Sequence, residues 1–225
     1  MNNSFLERTF LRWVGPWIER PPKFMRRSFL KGTFRIKEES DKKRVYLTFD
    51  DGPIPQCTPW LLDLLDRYGV KATFFVVGDN VRKYPELYDE ILGRGHQVGN
   101  HTMHHLNGLR VWGIRYLKDI QEAERYVKSD LLRPPHGWMR FSHRMYLSRK
   151  YRLIMYDLVT RDYSKYVDAE HVFQNVKQYV RPGSIIVFHD SLKSVDKLKT
   201  ALPRSIEWLI SQGYEFGLIP GKSKK

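Results

Sequence analysis

The sequence predicts an α/β protein in which about seven parallel strands form a closed or nearly closed (β/α) barrel. Short runs of β-branched and aromatic residues alternate with amphipathic segments of about ten residues, which is the pattern of consecutive β-α units. The first of these runs is apolar throughout, as in a strand that is covered on both faces. A chain of 225 residues with 41% hydrophobic residues is long enough to bury one large core.

The opening strand, residues 45–49, ends at Asp50 and Asp51, and Gly52-Pro53 then supplies turn chemistry. The first helix begins at Thr58-Pro59, an N-cap followed by proline in the first turn. The later elements follow from the same alternation of patterns. Strands are predicted at residues 71–77, 96–100, 131–133, 152–158, 184–188 and 214–218, and helices at residues 58–68, 84–94, 116–128, 142–150, 168–180 and 200–211.

Three segments are predicted along the chain: a basic, aromatic N-terminal extension (1–44), a catalytic domain (45–219) and a basic C-terminal tail (220–225). The extension has 12 Lys or Arg against 5 Asp or Glu, half of the net charge of +14. Its longest uncharged run, residues 13–18, is too short for a signal peptide or a membrane span. We therefore expect a cytoplasmic protein in which residues 1–31 contact a membrane surface, pack on the domain or form a frayed terminus.

The charge and the single cysteine limit the other classes of function. A net charge of +14 is compatible with binding to nucleic acid. However, half of the excess positive charge lies in the first 44 residues, which fits attachment to a surface better than a basic groove for a nucleic acid. Cys57 alone allows neither an intramolecular disulfide nor a cysteine-rich zinc site, and we expect it to be a small buried residue. No nucleic-acid partner and no obligate protein partner are expected.

Several polar residues follow the predicted strands directly and have no evident structural role. In α/β barrels, active sites lie at this C-terminal end of the strands. The set comprises Asp50, Asp51, His101, His105, Arg133, Asp162, His189 and Asp190. Two adjacent carboxylates at the mouth of a buried strand require a compensating cation or proton, although an Asp-Asp-Gly sequence alone also fits a surface turn.

His101 and His105 are four residues apart, which would place both imidazoles on one face of a helical turn. A carboxylate of the Asp50-Asp51 pair can complete a metal site with open positions for water, and spacing does not say which carboxylate. The other one can accept a proton from that water. His189 is the candidate general acid, and Arg133 can orient the base by a bidentate contact.

The chain resembles the polysaccharide deacetylases, the NodB-like carbohydrate esterase family. The resemblance is carried by five motifs that occur in family order between residues 45 and 218. They are Thr48-Phe49-Asp50-Asp51-Gly52, His101-Thr102-Met103-His104-His105, Arg133-Pro134-Pro135-His136-Gly137, Asp162-Tyr163 and Val187-Phe188-His189-Asp190.

This resemblance implies a distorted (β/α) barrel that removes acetyl groups from N-acetylated polysaccharides, oligosaccharides or glycolipids with a divalent metal, commonly zinc, with cobalt, manganese or nickel as alternatives. It implies Asp50 as the general base, positioned by Arg133, and Asp51, His101 and His105 as the metal ligands. It further implies His189 as the general acid, tuned by Asp162. Oxyanion or substrate contacts would come from His136 through its backbone N–H, and from Pro135, Gly137, Tyr163 and Phe188.

Three positions depart from the family pattern. His136 stands where tyrosine is usual, Tyr163 replaces a frequent tryptophan, and Phe188 occupies a position that a smaller aliphatic residue often fills. Two other functions remain open: an O-acetyl sugar esterase with the same site, and a non-catalytic glycan-binding module on the same scaffold.

Overall fold

The computed structural model describes residues 19–29, 31–38 and 42–222. The strands are β1 (Gly32–Thr33), β2 (Arg44–Asp50), β3 (Thr73–Val76), β4 (Gln97–Asn100), β5 (Leu131–Leu132), β6 (Arg152–Ile154), β7 (Leu158–Val159), β8 (Ile185–His189) and β9 (Glu215–Phe216). The helices are α1 (Lys23–Ser28), α2 (Thr58–Arg67), α3 (Gly78–Lys83), α4 (Pro85–Gly93), α5 (Ile114–Ala123), α6 (Phe141–Leu147), α7 (Ala169–Tyr179) and α8 (Val195–Ser211), with a 3₁₀ turn at Pro135–Gly137.

All these strands pair in parallel, in the order β1-β6-β5-β4-β3-β2-β8-β7, and β9 pairs with β2. Strands β6 and β7 lie near opposite ends of this order, although only residues 155–157 separate them in the chain. Four Cα steps span at most about 14 Å, so the two edges of the sheet must come together. The sheet is therefore curled into a barrel that a short stretch of chain bridges, which confirms the predicted fold class.

Strand β2 shows how the sequence decides what faces the barrel interior. Alternate residues point to opposite faces of a strand. Val45, Leu47 and Phe49 enter the large core between the sheet and the helices, whereas Tyr46 belongs to a smaller cluster inside the barrel. Asp50 therefore ends the strand facing inward, and its register pairs it with His189 of β8.

The N-terminal part of the chain contributes to the barrel from residue 19 onward. Strand β1 covers the outer edge of β6, and Phe29 is buried in a cluster of apolar side chains. Arg26 of α1 pairs with Asp157, which has no exposed surface. The N-terminal segment was predicted to contact a membrane surface, to pack on the domain or to form a frayed terminus. Packing on the domain is seen for residues 19–29 and 31–38, while residues 1–18 and 30 lie outside the described part of the chain.

Several element boundaries differ from the sequence predictions. The predicted strand 152–158 is two strands, because residues 155–157 cross from one edge of the sheet to the other. Helix α8 begins at Val195 rather than at residue 200 and carries Pro203 in its interior. Strand β1 and helices α1 and α3 were not predicted, since two strand residues or six helical residues give too short a period to recognise. No helix in the described ranges is long and apolar enough to cross a membrane.

A substitution at Asp157 tests how residues 155–157 stabilise the junction between the two edges of the barrel. The Asp157 carboxylate also accepts hydrogen bonds from Arg181 Nε at 2.9 Å and Ser184 Oγ at 2.7 Å. Replacing it by asparagine removes a buried charge from two arginines, so we expect Asp157→Asn to lower the free energy of unfolding by about 2–4 kcal/mol in urea titrations. The control Asp63→Asn removes an exposed partner of Arg94 and should cost less than about 1 kcal/mol. Equal small losses would contradict the bridging role.

Candidate metal centre and active site

Asp50 and Asp51 leave strand β2 in different directions. Asp50 continues the strand and pairs in register with Phe75 and His189. Asp51 turns away with a φ of 81°, a left-handed conformation that its backbone contacts fix. Its N–H donates to the Phe75 carbonyl at 3.2 Å, and its carbonyl accepts from Asn80 Nδ2 at 2.7 Å. Two adjacent carboxylates are thereby aimed at different parts of one cavity.

The two histidines lie in an irregular turn after β4 and not in the predicted helical turn. Thr102 and His105 have positive φ values of 68° and 53°, which no α-helix contains. The turn is held by Asn100 Oδ1, which accepts from the Thr102 N–H at 2.7 Å, and by Thr102 Oγ1, which accepts from the Leu106 N–H at 3.3 Å. The two imidazoles still meet, with ring centroids 5.1 Å apart. The four-residue spacing correctly predicted that the two imidazoles lie close together, but the predicted helical turn was wrong.

Among the described residues, Asp51, His101 and His105 form a group that could hold a metal ion, with their potential ligand atoms within 4.8 Å of one another. Asp51 Oδ1 lies 3.1 Å from His105 Nε2 and 3.7 Å from His101 Nε2. This oxygen is buried and, within the described part of the chain, accepts no hydrogen bond. One carboxylate oxygen and two imidazole nitrogens converging on one point fit a divalent cation.

The protonation of this cluster also suits a cation. His101 donates from Nδ1 to the Arg133 carbonyl at 2.8 Å, which leaves the Nε2 lone pair directed at Asp51. Burial lowers the pKa of His101 to about 4, so its imidazole is neutral near pH 7. Burial alone would raise the pKa of Asp51, but the imidazoles of His105, His189 and His101 lower it well below its usual value. Both groups are thus in the form that binds metal.

The buried Arg133 side chain holds Asp50. Its Nη1 donates to Asp50 Oδ1 at 2.5 Å and to Thr48 Oγ1 at 2.8 Å, and its Nη2 donates to the Met155 carbonyl at 3.1 Å. The guanidinium also lies 4.0 Å from the centre of the Phe75 ring. The predicted bidentate contact is wrong, because the second guanidinium nitrogen is committed to Met155. Asp50 Oδ2 remains on the side of the histidines, 4.0 Å from His101 Nε2.

His189 and Asp162 form a second charged pair on the cavity. Asp162 Oδ1 lies 2.8 Å from His189 Nδ1, and Oδ2 accepts the backbone N–H of His189 at 2.7 Å. Burial opposes the charged imidazole, but the adjacent Asp162 carboxylate outweighs it and raises the pKa of His189 to about 9. His189 is therefore protonated near pH 7, with Nδ1 committed to Asp162 and its Nε2 left for the cavity.

These groups open into one cavity of about 480 Å³. The remaining wall is a mixture of aromatic, apolar and basic side chains. It comprises Pro134, His136, Gly137, Trp138, Met155, Tyr156, Val159, Tyr163, Val187 and Lys193. The His136 ring packs edge-on against His105 at 4.8 Å, and the Tyr163 ring packs edge-on against His189 at 4.7 Å. A cation site, a carboxylate and a protonated imidazole thus share one cavity with aromatic walls.

The profile of the polysaccharide deacetylase family matches residues 37–153, more than half of the sequence. The chain belongs to the polysaccharide deacetylase family. It is 33% identical over 187 residues to a peptidoglycan-N-acetylglucosamine deacetylase of Bacillus cereus, covering 79% of this chain and 86% of that protein. It is 31% identical over 200 residues to a chitooligosaccharide deacetylase of a Bradyrhizobium species, covering 80% and 91%. A crystal structure of a peptidoglycan N-acetylglucosamine deacetylase has a TM-score of 0.79 at 29% identity, covering 88% of this chain and 95% of that one.

In this polysaccharide deacetylase most of the residues singled out in the sequence meet at the cavity. The exceptions are Pro135, Asp162, Phe188 and Asp190, which are buried and do not line it, although Asp162 contacts the cavity residue His189. Phe188 lies in the outer core, 5.8 Å from the Phe49 ring, so the prediction that it contacts substrate is wrong. Alternation along β8 directs its neighbour Val187 into the cavity instead. The role predicted for the His136 N–H stays a prediction.

Asp190 is a buried polar residue of the site to which the sequence assigned no role. Its Oδ2 accepts a hydrogen bond from Thr58 Oγ1 at 2.6 Å, and its N–H donates to the Asp50 carbonyl at 2.7 Å. Burial raises the pKa of Asp190 to about 7. A Cβ on Gly52 would lie 2.1 Å from Asp190 Oδ2, which explains the glycine after the two aspartates. The sequence indicates only a helix-cap role for Thr58. Its contact with Asp190 could not be predicted, because the two residues are far apart in the chain.

Cation binding tests the ligand set directly. We expect His101→Ala and Asp51→Asn each to weaken zinc binding at least about 100-fold, because each removes one of three converging donors. The measurement is competition between the protein and a chromogenic chelator, which needs no catalysis. The control is His104→Ala, since His104 is exposed and directed at Asp119 rather than at the cluster. A comparable loss in the control, or none in either ligand variant, would contradict the assignment.

Proposed function

We propose that this family member is a zinc-dependent N-deacetylase of oligomers that contain N-acetylglucosamine. The observation that carries the proposal is that Asp50, the Asp51-His101-His105 cluster and His189 line the same cavity. A base, a cation site and an acid in one cavity are the parts that amide hydrolysis needs. The similarity to a peptidoglycan-N-acetylglucosamine deacetylase and to a chitooligosaccharide deacetylase supports N-acetylglucosamine units as the substrate class.

The donors of the cluster favour zinc. Two imidazole nitrogens and one carboxylate oxygen form a set that catalytic zinc sites use, with a fourth position left open. Cobalt, nickel and manganese accept the same donors, so the proposal rests on donor chemistry and is tested by adding metals back. When bound there by Asp51, His101 and His105, the cation would supply Lewis acidity to the acetyl carbonyl and acidity to a water.

Asp50 is suited to act as the general base. Arg133 and Thr48 lie on one side of its carboxylate, with Arg133 Nη1 bonded to Oδ1. Oδ2, on the side of His101, is then the oxygen that takes the proton from the attacking water. Because Arg133 is itself anchored to the Met155 carbonyl, the carboxylate has little freedom to turn away from the cavity.

His189 is suited to act as the general acid. The leaving group of an N-acetyl sugar is an amine, a poor leaving group that needs a proton on nitrogen as the C–N bond breaks. His189 holds that proton at Nε2, since Asp162 occupies Nδ1. A pKa of about 9 keeps most of the imidazole protonated at neutral pH, so the proton is present before the tetrahedral intermediate collapses.

The walls of the cavity suit a sugar chain. Trp138 and Tyr163 are both partly exposed and line the cavity, so parts of their rings can stack on pyranose rings. Their exposed parts lie beside the catalytic groups, where neighbouring sugar units of an oligomer could contact them.

Acetate release tests the proposed activity. Purified full-length protein should release acetate from chitooligosaccharides or peptidoglycan fragments, lose that activity with a chelator and regain it with zinc. Asp50→Asn should lower kcat/KM by about 10²–10⁴ while zinc binding is retained, because it removes the base and not a ligand. Asp63→Asn is the surface control. Acetate release from O-acetylated but not N-acetylated sugars would contradict the N-deacetylase proposal.

The pH profile tests the coupling of Asp162 to His189. His189 is active when protonated, so activity should fall as the pH rises through its pKa. Removing the charge in Asp162→Asn lowers that pKa, and we expect the alkaline limb of kcat to move down by roughly 1–3 pH units. Asp196→Asn, an exposed change in the first turn of α8, should leave the limb in place. An unshifted limb in Asp162→Asn would show that His189 is not the titrating acid.

A further inference from the structure

Two loops beside the cavity expose an unusual set of large apolar side chains. Trp112 is 77% exposed, Ile114 66%, Phe141 56% and Leu109 44%. Contiguous exposed apolar groups of this size mark an interaction surface. We call the surface formed by residues 108–115 and 138–144 the rim patch. It adjoins the catalytic mouth, because Trp138 belongs to both.

The rim patch is a built surface and not a pair of loose loops. The two segments are joined by a bridge between Gly108 and Met139, and Arg140 Nη2 donates to the Leu109 carbonyl at 2.8 Å. His143 Nε2 lies 3.1 Å from the Gly113 carbonyl. A Cβ on Gly108 would lie 2.9 Å from the Trp138 carbonyl, so the segments approach as closely as glycine allows. The exposed side chains are therefore presented together.

The charge of this surface has one sign. The residues of the rim patch, 108–115 and 138–144, contain four Arg and no Asp or Glu. Across the mouth, Lys193 also lines the cavity beside the exposed Leu192. Asp162 and Asp190 on that side have no exposed surface, whereas Asp196 is exposed. A cationic surface with interleaved apolar side chains is complementary to an anionic lipid headgroup layer over a hydrocarbon interior.

We propose that the rim patch docks this enzyme on an anionic lipid bilayer, with Trp112, Ile114, Leu109 and Phe141 entering the interface. A neutral glycan is a poorer match for two reasons. Ile114 and Leu109 have no ring to stack on a sugar, and the guanidinium of Arg140 lies 3.7 Å from the centre of the Trp112 ring, over one of its faces. An Arg-Trp pair suits an interface, where the ring enters the headgroup layer and the cation meets phosphate.

Docking through this surface would place the catalytic mouth against the bilayer. The enzyme would then work on glycans held close to lipid headgroups rather than on chains free in solution. The rim patch would bind the protein to the bilayer without taking part in catalysis. Vesicle binding can therefore fail while acetate release succeeds, and the reverse.

The test is flotation of the full-length chain with two kinds of vesicle, one of phosphatidylcholine alone and one with phosphatidylglycerol added. The chain should float with the anionic vesicles and be released by raised salt. Trp112→Ser with Ile114→Ser, and separately Arg110→Gln with Arg115→Gln, should each lower the partition coefficient about tenfold or more. These residues do not line the cavity, so acetate release from soluble oligomers should be unchanged.

Matched controls separate this surface from general charge and hydrophobicity. Leu92→Ser with Ile210→Ser removes two exposed apolar side chains elsewhere, and Lys177→Gln with Lys199→Gln removes two exposed charges elsewhere. Both should retain binding. Equal losses in controls and rim variants would overturn the proposal, as would binding that depends on Trp13 and Trp17 but not on the rim. Loss of oligosaccharide affinity with unchanged vesicle binding would instead assign the rim patch to the glycan.

Discussion

The buried Arg133 is the group on which the catalytic face depends. Its guanidinium orients the Asp50 carboxylate, while its backbone carbonyl accepts from His101 Nδ1 and so selects the tautomer that can bind metal. One residue thus positions both the proposed base, Asp50, and a proposed metal ligand, His101. Arg133 Nη2 donates to the Met155 carbonyl, and the Met155 N–H donates to the Thr33 carbonyl of β1. The edge strand therefore supports the site through two hydrogen bonds.

The charges of the site are arranged in pairs that differ in their burial and partners. Asp50 is compensated by Arg133, and Asp51 by imidazoles and, in the proposed enzyme, by a cation. Asp162 is compensated by His189, which in return stays protonated. Asp190 makes no ion pair within the described part of the chain, and burial keeps its pKa raised. Four carboxylates close to strand ends thus differ in their charge environment because their neighbours differ.

The sequence predicted the barrel and most of the site because both leave local signals. Strands buried on both faces read as apolar runs. Asp50 and His189 stand at the ends of such runs, and His101 follows the short strand β4. What it missed depends on contacts distant in the chain. Strand β1 has two residues and exists only because β6 offers a free edge. The division into an extension (1–44), a domain (45–219) and a tail (220–225) remains a prediction, although residues 19–29 and 31–38 pack on the barrel.

The order of the sheet also sets when the catalytic centre can form during synthesis. Gly32 of β1 pairs with Leu153 of β6, and Arg44 of β2 pairs with Glu215 of β9. These two pairings can form only after β6 and β9 have been synthesised. The three ligand residues are complete by residue 105, but the acid at 189 and its partner at 162 come much later. A nascent chain thus carries the metal ligands before it carries the acid pair. Such distant pairings make folding slow, which places the closing of the barrel late in the protein's assembly.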